Sequence, residues 1–97
     1  MRLQDLLKNV DVVNINGDKD VEVTGIFTDS RKATEGSAFI AIKGVQVDGH
    51  QYINNALDLG AKVVIHDEKI SVSKPGVIYV QVKDSADSAG KIATHWY

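Results

Sequence analysis

Apolar residues at Leu3, Leu6, Leu7 and Val10 recur at the three-to-four spacing of one helical face and predict a short amphipathic helix over residues 2–9. The period then changes to two. Val21 and Val23 alternate with Glu22 and Thr24, and the alternation slips by one at Gly25-Ile26 before Phe27, which predicts a half-buried, bulged strand over 21–27. After a turn at Lys32-Ala33-Thr34-Glu35-Gly36, the apolar run Ala38-Phe39-Ile40-Ala41-Ile42 reads as a buried strand over 37–42. Tyr52, Ile53, Ala56 and Leu57 mark a second helical face, ended by Gly60 as a C′ residue. Asp48 followed by Gln51 resembles a capping box at its start.

Two further β-branched runs, 62–65 and 77–82, suit central strands covered on both faces, with Pro75-Gly76 punctuating the loop between them. From Asp84 onward, Ala86, Ala89, Ala93 and Trp96 recur at helical spacing with Ile92 beside them. The order helix, strand, strand, helix, strand, strand, helix predicts an α/β domain of two or three layers. Its sheet is mixed and largely parallel, with about three helices. The last helix ends on Trp96-Tyr97 without a cap or polar tail, and the chain is expected to continue into a further domain.

Composition narrows the function classes. At 97 residues and 43 % hydrophobic content the chain can build one core without staples, and the absence of cysteine removes disulfides, thiol nucleophiles and cysteine-zinc sites. His50, His66 and His95 are too far apart for a local metal motif. A net charge of -2 with no basic block gives no nucleic-acid footprint. No apolar stretch approaches the roughly 20 residues of a membrane span, and the N-terminus is too polar for a secretory signal. A cytoplasmic location is expected.

Candidate chemistry lies in two polar clusters flanking the 37–42 run, Thr28-Asp29-Ser30-Arg31 and Gly44-Val45-Gln46-Val47-Asp48-Gly49-His50. The second combines two glycines, free backbone amides and a helix start, an arrangement that receives phosphate; equally, the glycines shape a loop and Asp48 caps the helix. Thr28, Asp29 and Ser30 offer groups that hydrogen-bond a sugar or a base edge, and are also standard turn formers. Arg31 neutralises a phosphate or lies on the surface, and His50 contacts a ligand or packs in the first helical turn. There is no G-x-x-x-x-G-K-[ST], no G-x-G-x-x-G and no acid, base and nucleophile set with catalytic spacing. The residues alone supply binding groups and no bond-making step.

Taken in order, Gly25-Ile26-Phe27-Thr28-Asp29-Ser30-Arg31, Gly36 to Gly44, Val47-Asp48-Gly49-His50 and Ala56-Leu57-Asp58-Leu59-Gly60-Ala61 resemble the N-terminal domain of the Mur ligases. The resemblance runs from about Leu3 to Tyr97 and makes 1–97 one substrate-binding domain. Within the family it is greatest to the branch that adds a diamino acid, meso-diaminopimelate or L-lysine, to UDP-N-acetylmuramoyl-L-alanyl-D-glutamate in peptidoglycan synthesis. The alternatives are the D-alanyl-D-alanine-adding branch and a non-catalytic binding module of the same fold.

The resemblance implies an ADP-forming ligase whose ATP and Mg²⁺ sit in a central domain of the same chain. There the D-glutamate carboxylate is activated as an acyl phosphate that the incoming amine attacks. This segment holds the uridine-diphosphate end of the UDP-N-acetylmuramoyl-dipeptide and has neither catalytic nor metal residues. Carried over by position, nucleotide contacts fall on Thr28, Ser30, Val45, Gln46 and Val47, the valines through their main chain. Asp29, Arg31, Asp48, Gly49 and His50 would support them. Spacing alone does not bring the clusters together. The link from 21–27 to 37–42 is shorter than the dozen or so residues of a usual parallel crossover, and a hairpin would leave Ser30 and Gln46 at opposite ends of a strand about 20 Å long.

Overall fold

The computed structural model describes residues 1–43, 49–70 and 74–97. Five strands form one sheet: β1 (Val12–Asn16), β2 (Ile26–Phe27), β3 (Ala38–Ile40), β4 (Val63–His66) and β5 (Ile78–Val82), in spatial order β1-β5-β4-β3-β2. β2 through β5 run parallel, and β1 closes one edge antiparallel to β5. Helices α1 (Leu3–Leu6), α2 (Ile53–Asp58) and α3 (Ser85–Trp96) complete the fold, with 3₁₀ turns at Ser30–Lys32 and Gly49–Tyr52. This is the expected α/β class.

The layering follows from the period of two along each strand. Ala38 and Ile40 of β3, Val63 and Ile65 of β4, and Ile78, Val80 and Val82 of β5 face one way, onto Leu3 and Leu6 of α1 and Ile92 of α3. Phe39, Val64 and Tyr79 face the other way, onto Ala33, Ile53 and Ala56. The sheet therefore lies between two helical layers. β4 is buried along its whole length, as its unbroken Val-Val-Ile run requires.

Two sequence expectations change. Residues 21–23 do not extend β2; they pair with the start of the chain, where the Leu3 N–H donates to the Val21 carbonyl and the Val23 N–H to the Met1 carbonyl. The slip at Gly25-Ile26 thus marks a change of partner, and only Ile26–Phe27 join the sheet. The same pairing keeps residues 1–2 extended ahead of α1, which shortens that helix to one turn, and Asn9 takes a left-handed φ of 63° just beyond it. β1 has no counterpart in the sequence reading. Its residues are almost all exposed, Val13 by 61 %, so no burial alternation marks it.

The connection across residues 28–37 fixes where Thr28–Arg31 lie. It crosses to a parallel strand through the Ser30–Lys32 turn, with Ala33 tucked into the core beneath α2. Its return is fastened by Thr24, whose hydroxyl donates to the Glu35 carbonyl at 2.7 Å, and by the Gly36 N–H donating to the Gly60 carbonyl at 2.9 Å. Gly60 sits at φ +104°, where a Cβ would lie 2.8 Å from the Glu35 Cα, so the C′ glycine of α2 is also the seat of this crossover.

Candidate functional site

Because β2, β3 and β4 are parallel, their carboxyl ends open on the same edge of the sheet, where α/β domains place ligands. Thr28–Arg31 leave β2 there, Ala41–Lys43 leave β3, and Asp67–Glu68 leave β4. The chain returns at Gly49, whose N–H donates to the Ile42 carbonyl at 2.8 Å. A Cβ at Gly49 would lie 2.7 Å from the Ile42 nitrogen, so only glycine permits this approach. Between the β2 and β3 exits lies a cavity of about 520 Å³, lined by Thr28, Asp29, Ser30 and Arg31 with Phe39, Ile42, Gly49, Tyr52 and Asn55. The lining sets polar groups from Thr28–Arg31 and Asn55 against the apolar surface of Phe39, Ile42 and Tyr52, so it offers both hydrogen bonds and apolar contact to a small molecule.

Each polar residue has a definite place. Asp29 caps the 3₁₀ turn, accepting from the Arg31 N–H at 3.0 Å, and holds the Arg31 guanidinium through Nε at 3.1 Å and Nη2 at 2.9 Å. Those Arg31 hydrogen bonds hold the Asp29 carboxyl down at about 2, and the pairing raises Arg31 in return. Arg31 stays 86 % exposed at its side chain, so the pair stiffens the loop at the rim of the cavity. Ser30 is buried in the cavity lining.

His50 lies beside the cavity and not in its lining. Its side chain is 8 % exposed, and its Nε2 accepts from the N–H groups of Asp67 at 3.3 Å and Glu68 at 3.2 Å. Asp67 Oδ1 is also 3.3 Å from that nitrogen, but two converging N–H donors identify Nε2 as an acceptor. His66 sits edge-on to His50 at 6.5 Å and edge-on to Tyr79 at 6.4 Å, and its Nδ1 donates to the Glu68 carbonyl at 2.7 Å. Burial lowers the His66 pKa from its ordinary value, partly offset by that hydrogen bond.

Of the residues proposed from the sequence, Thr28, Asp29, Ser30, Arg31 and Gly49 meet at one cavity. Val45, Gln46, Val47 and Asp48 lie outside the described residues. Phe39, Ile42, Tyr52 and Asn55 went unnoticed as lining residues. In the sequence Tyr52 shows only as part of the helical face with Ile53, Ala56 and Leu57, and Asn55 belongs to no pattern. Asp67 and Glu68 carried no signal at all, since their role depends on β4 ending beside β3. Among the described residues no three His, Cys, Asp or Glu side chains gather to hold a metal ion, and no helix is long and apolar enough to cross a membrane.

A family model described as the Mur ligase family, catalytic domain, matches residues 22–97. The chain belongs to the Mur ligase family. Among Mur ligases similar to it along its full length, UDP-N-acetylmuramoyl-L-alanyl-D-glutamate--2,6-diaminopimelate ligase of Bacteroides fragilis is 41 % identical. The proteins of the same name from Caldanaerobacter subterraneus and Clostridioides difficile are 44 % and 35 % identical. The chain spans 20 % of the length of each. In three dimensions it resembles MurF from Acinetobacter baumannii, with a TM-score of 0.78 at 25 % identity over 97 % of this chain and 20 % of that one. MurF ligase from Thermotoga maritima, in complex with ADP, gives 0.63 at 33 % identity over 78 % of this chain and 17 % of that one. The fold is that of a Mur ligase N-terminal domain.

Proposed function

We propose that this chain is the UDP-substrate-binding domain of an ATP-dependent, ADP-forming ligase that joins a diamino acid to UDP-N-acetylmuramoyl-L-alanyl-D-glutamate in peptidoglycan synthesis. The observation that carries this reading is the meeting of Thr28, Ser30 and Gly49 at one cavity on the carboxyl edge of a parallel sheet. Thr28 and Ser30 offer hydroxyls, Phe39, Ile42 and Tyr52 offer apolar surface for a base or sugar, and the Asp29–Arg31 pair keeps the rim in shape. Val45, Gln46 and Val47 are proposed to complete the nucleotide contacts.

Chemistry is assigned elsewhere. ATP and Mg²⁺ are proposed to sit in a central domain of the full-length protein. The role here is to bind and orient the nucleotide end. Binding energy of that kind is felt equally in ground and transition states and shows in KM.

The relatives named as 2,6-diaminopimelate ligases, at 35–44 % identity over the whole chain, favour the third-residue branch. The MurF likeness in three dimensions favours a second reading, the branch that adds D-alanyl-D-alanine. ADP release by the full-length protein separates them. The proposal expects turnover with the UDP-N-acetylmuramoyl-dipeptide and 2,6-diaminopimelate or L-lysine. Turnover only with the tripeptide nucleotide and D-alanyl-D-alanine would transfer the chain to the second branch.

A further inference from the structure

We propose that His50 is a positioning residue for the cavity, acting through the main chain of Asp67 and Glu68. The inference rests on the reading that the cavity takes the UDP end of a nucleotide substrate. His50 stands in the turn Gly49–Tyr52, and that turn supplies both Gly49 and Tyr52 to the lining. What orients the turn is therefore what orients one wall of the cavity.

The mooring is built from both sides of the β3 exit. His50 Nε2 takes the N–H groups of Asp67 and Glu68, and its Nδ1 lies 3.9 Å from the Glu68 carboxylate. Lys43, on the outgoing side, pairs with the same carboxylate at 3.3 Å. Glu68 is itself held from behind, its carbonyl accepting from His66 Nδ1. Asp67 is held as firmly, with Oδ2 accepting from both the N–H and the hydroxyl of Ser85 at 2.9 Å, at the start of α3. The β4 exit is thus a fixed post, and His50 ties the cavity wall to it. With Nε2 occupied by two amides in a nearly closed site, His50 contributes position and not a direct ligand contact.

The test is a UDP titration of the ¹⁵N-labelled chain, as wild type, His50→Gln and His50→Leu, with the melting temperature of each recorded. Gln keeps an acceptor at about the reach of Nε2; Leu keeps bulk and loses it. Losing the acceptor is expected to weaken UDP binding about tenfold, while Gln stays within about threefold of wild type. In the wild type, the Asp67 and Glu68 amides should shift along the same saturation curve as Ser30, although neither lines the cavity. That measurement decides the matter even where His50→Leu does not fold.

Unmoved Asp67 and Glu68 amides alongside shifting Thr28 and Ser30 would overturn the inference. So would a folded His50→Leu that binds like wild type, or a folded His50→Gln as weak as His50→Leu; each of these leaves the cavity's function standing. No shift anywhere in the wild type at millimolar UDP would overturn the nucleotide reading, and this inference with it.

Discussion

The N–H of Gly49 donates to the carbonyl of Ile42 at 2.8 Å, so the chain leaving β3 and the chain re-entering the fold touch backbone to backbone. This contact brings the second polar cluster's flanks to the side of the sheet where Thr28–Arg31 leave β2. It leaves no room for a side chain at position 49.

Gly49→Ala should therefore destabilise the fold. The added Cβ would stand 2.7 Å from the Ile42 nitrogen and 2.8 Å from its carbonyl oxygen, both backbone atoms that yield only by moving β3's exit. A cost of about 1–3 kcal/mol is expected from overpacking, equivalent to a fall in melting temperature of roughly 4–8 °C per kcal/mol. Chemical denaturation measures it, and a change within about 0.5 kcal/mol would show that the approach is looser than described.

Arg31→Ala should raise the Asp29 pKa from about 2 toward 3.8, read by ¹³C titration of the carboxyl carbon. The rise should stop short of 3.8, because the Arg31 backbone N–H still donates to Asp29. Asp29 is depressed in the fold, so its contribution is present above 3.8 and is lost as pH falls through about 2. An unchanged titration would mean that the guanidinium is not what holds the carboxylate.

Acid should weaken the fold through His66. Its pKa lies below 6.5 in the folded state, so below 6.5 the unfolded chain binds the proton more readily and stability falls with pH. The contribution is present above 6.5 and is lost as pH drops through the folded pKa. Melting temperatures of wild type and His66→Asn across this range isolate the effect, since the Asn amide lies at the reach of Nδ1, can donate to the Glu68 carbonyl and does not titrate. Equal slopes for the two would contradict the account.

How much of this was legible in the sequence depends on whether the signal was local. β3, β4 and β5 announced themselves by Ala-Phe-Ile, Val-Val-Ile and Ile-Tyr-Val runs, and α3 by its small-residue stripe after Asp84. That residue's carboxylate does accept from the Asp87 N–H. β1 was hidden because an exposed edge strand needs no apolar alternation, and residues 21–23 were misassigned because valines read the same whichever strand they pair with. Thr28 and Ser30 stood out as polar residues at a strand end. That they share a cavity with Gly49 was not readable, because it follows from a short parallel crossover braced on Gly60. The bracing of Asp67 and Glu68 by His50 was further out of reach, joining positions 17 and 18 residues apart.

The central claim is that this cavity receives the uridine-diphosphate end of a nucleotide substrate. Titration of the ¹⁵N-labelled chain with UDP, beside uridine and inorganic phosphate, tests it most directly. The account predicts saturable shifts at Thr28, Ser30, Gly49 and the Asn55 side-chain amide, stronger binding of UDP than of either part, and a loss of about tenfold or more on Ser30→Leu, which fills the lining with bulk. Absence of shifts at millimolar UDP, or shifts confined to the opposite edge of the sheet around Lys62 and Lys74, would contradict it.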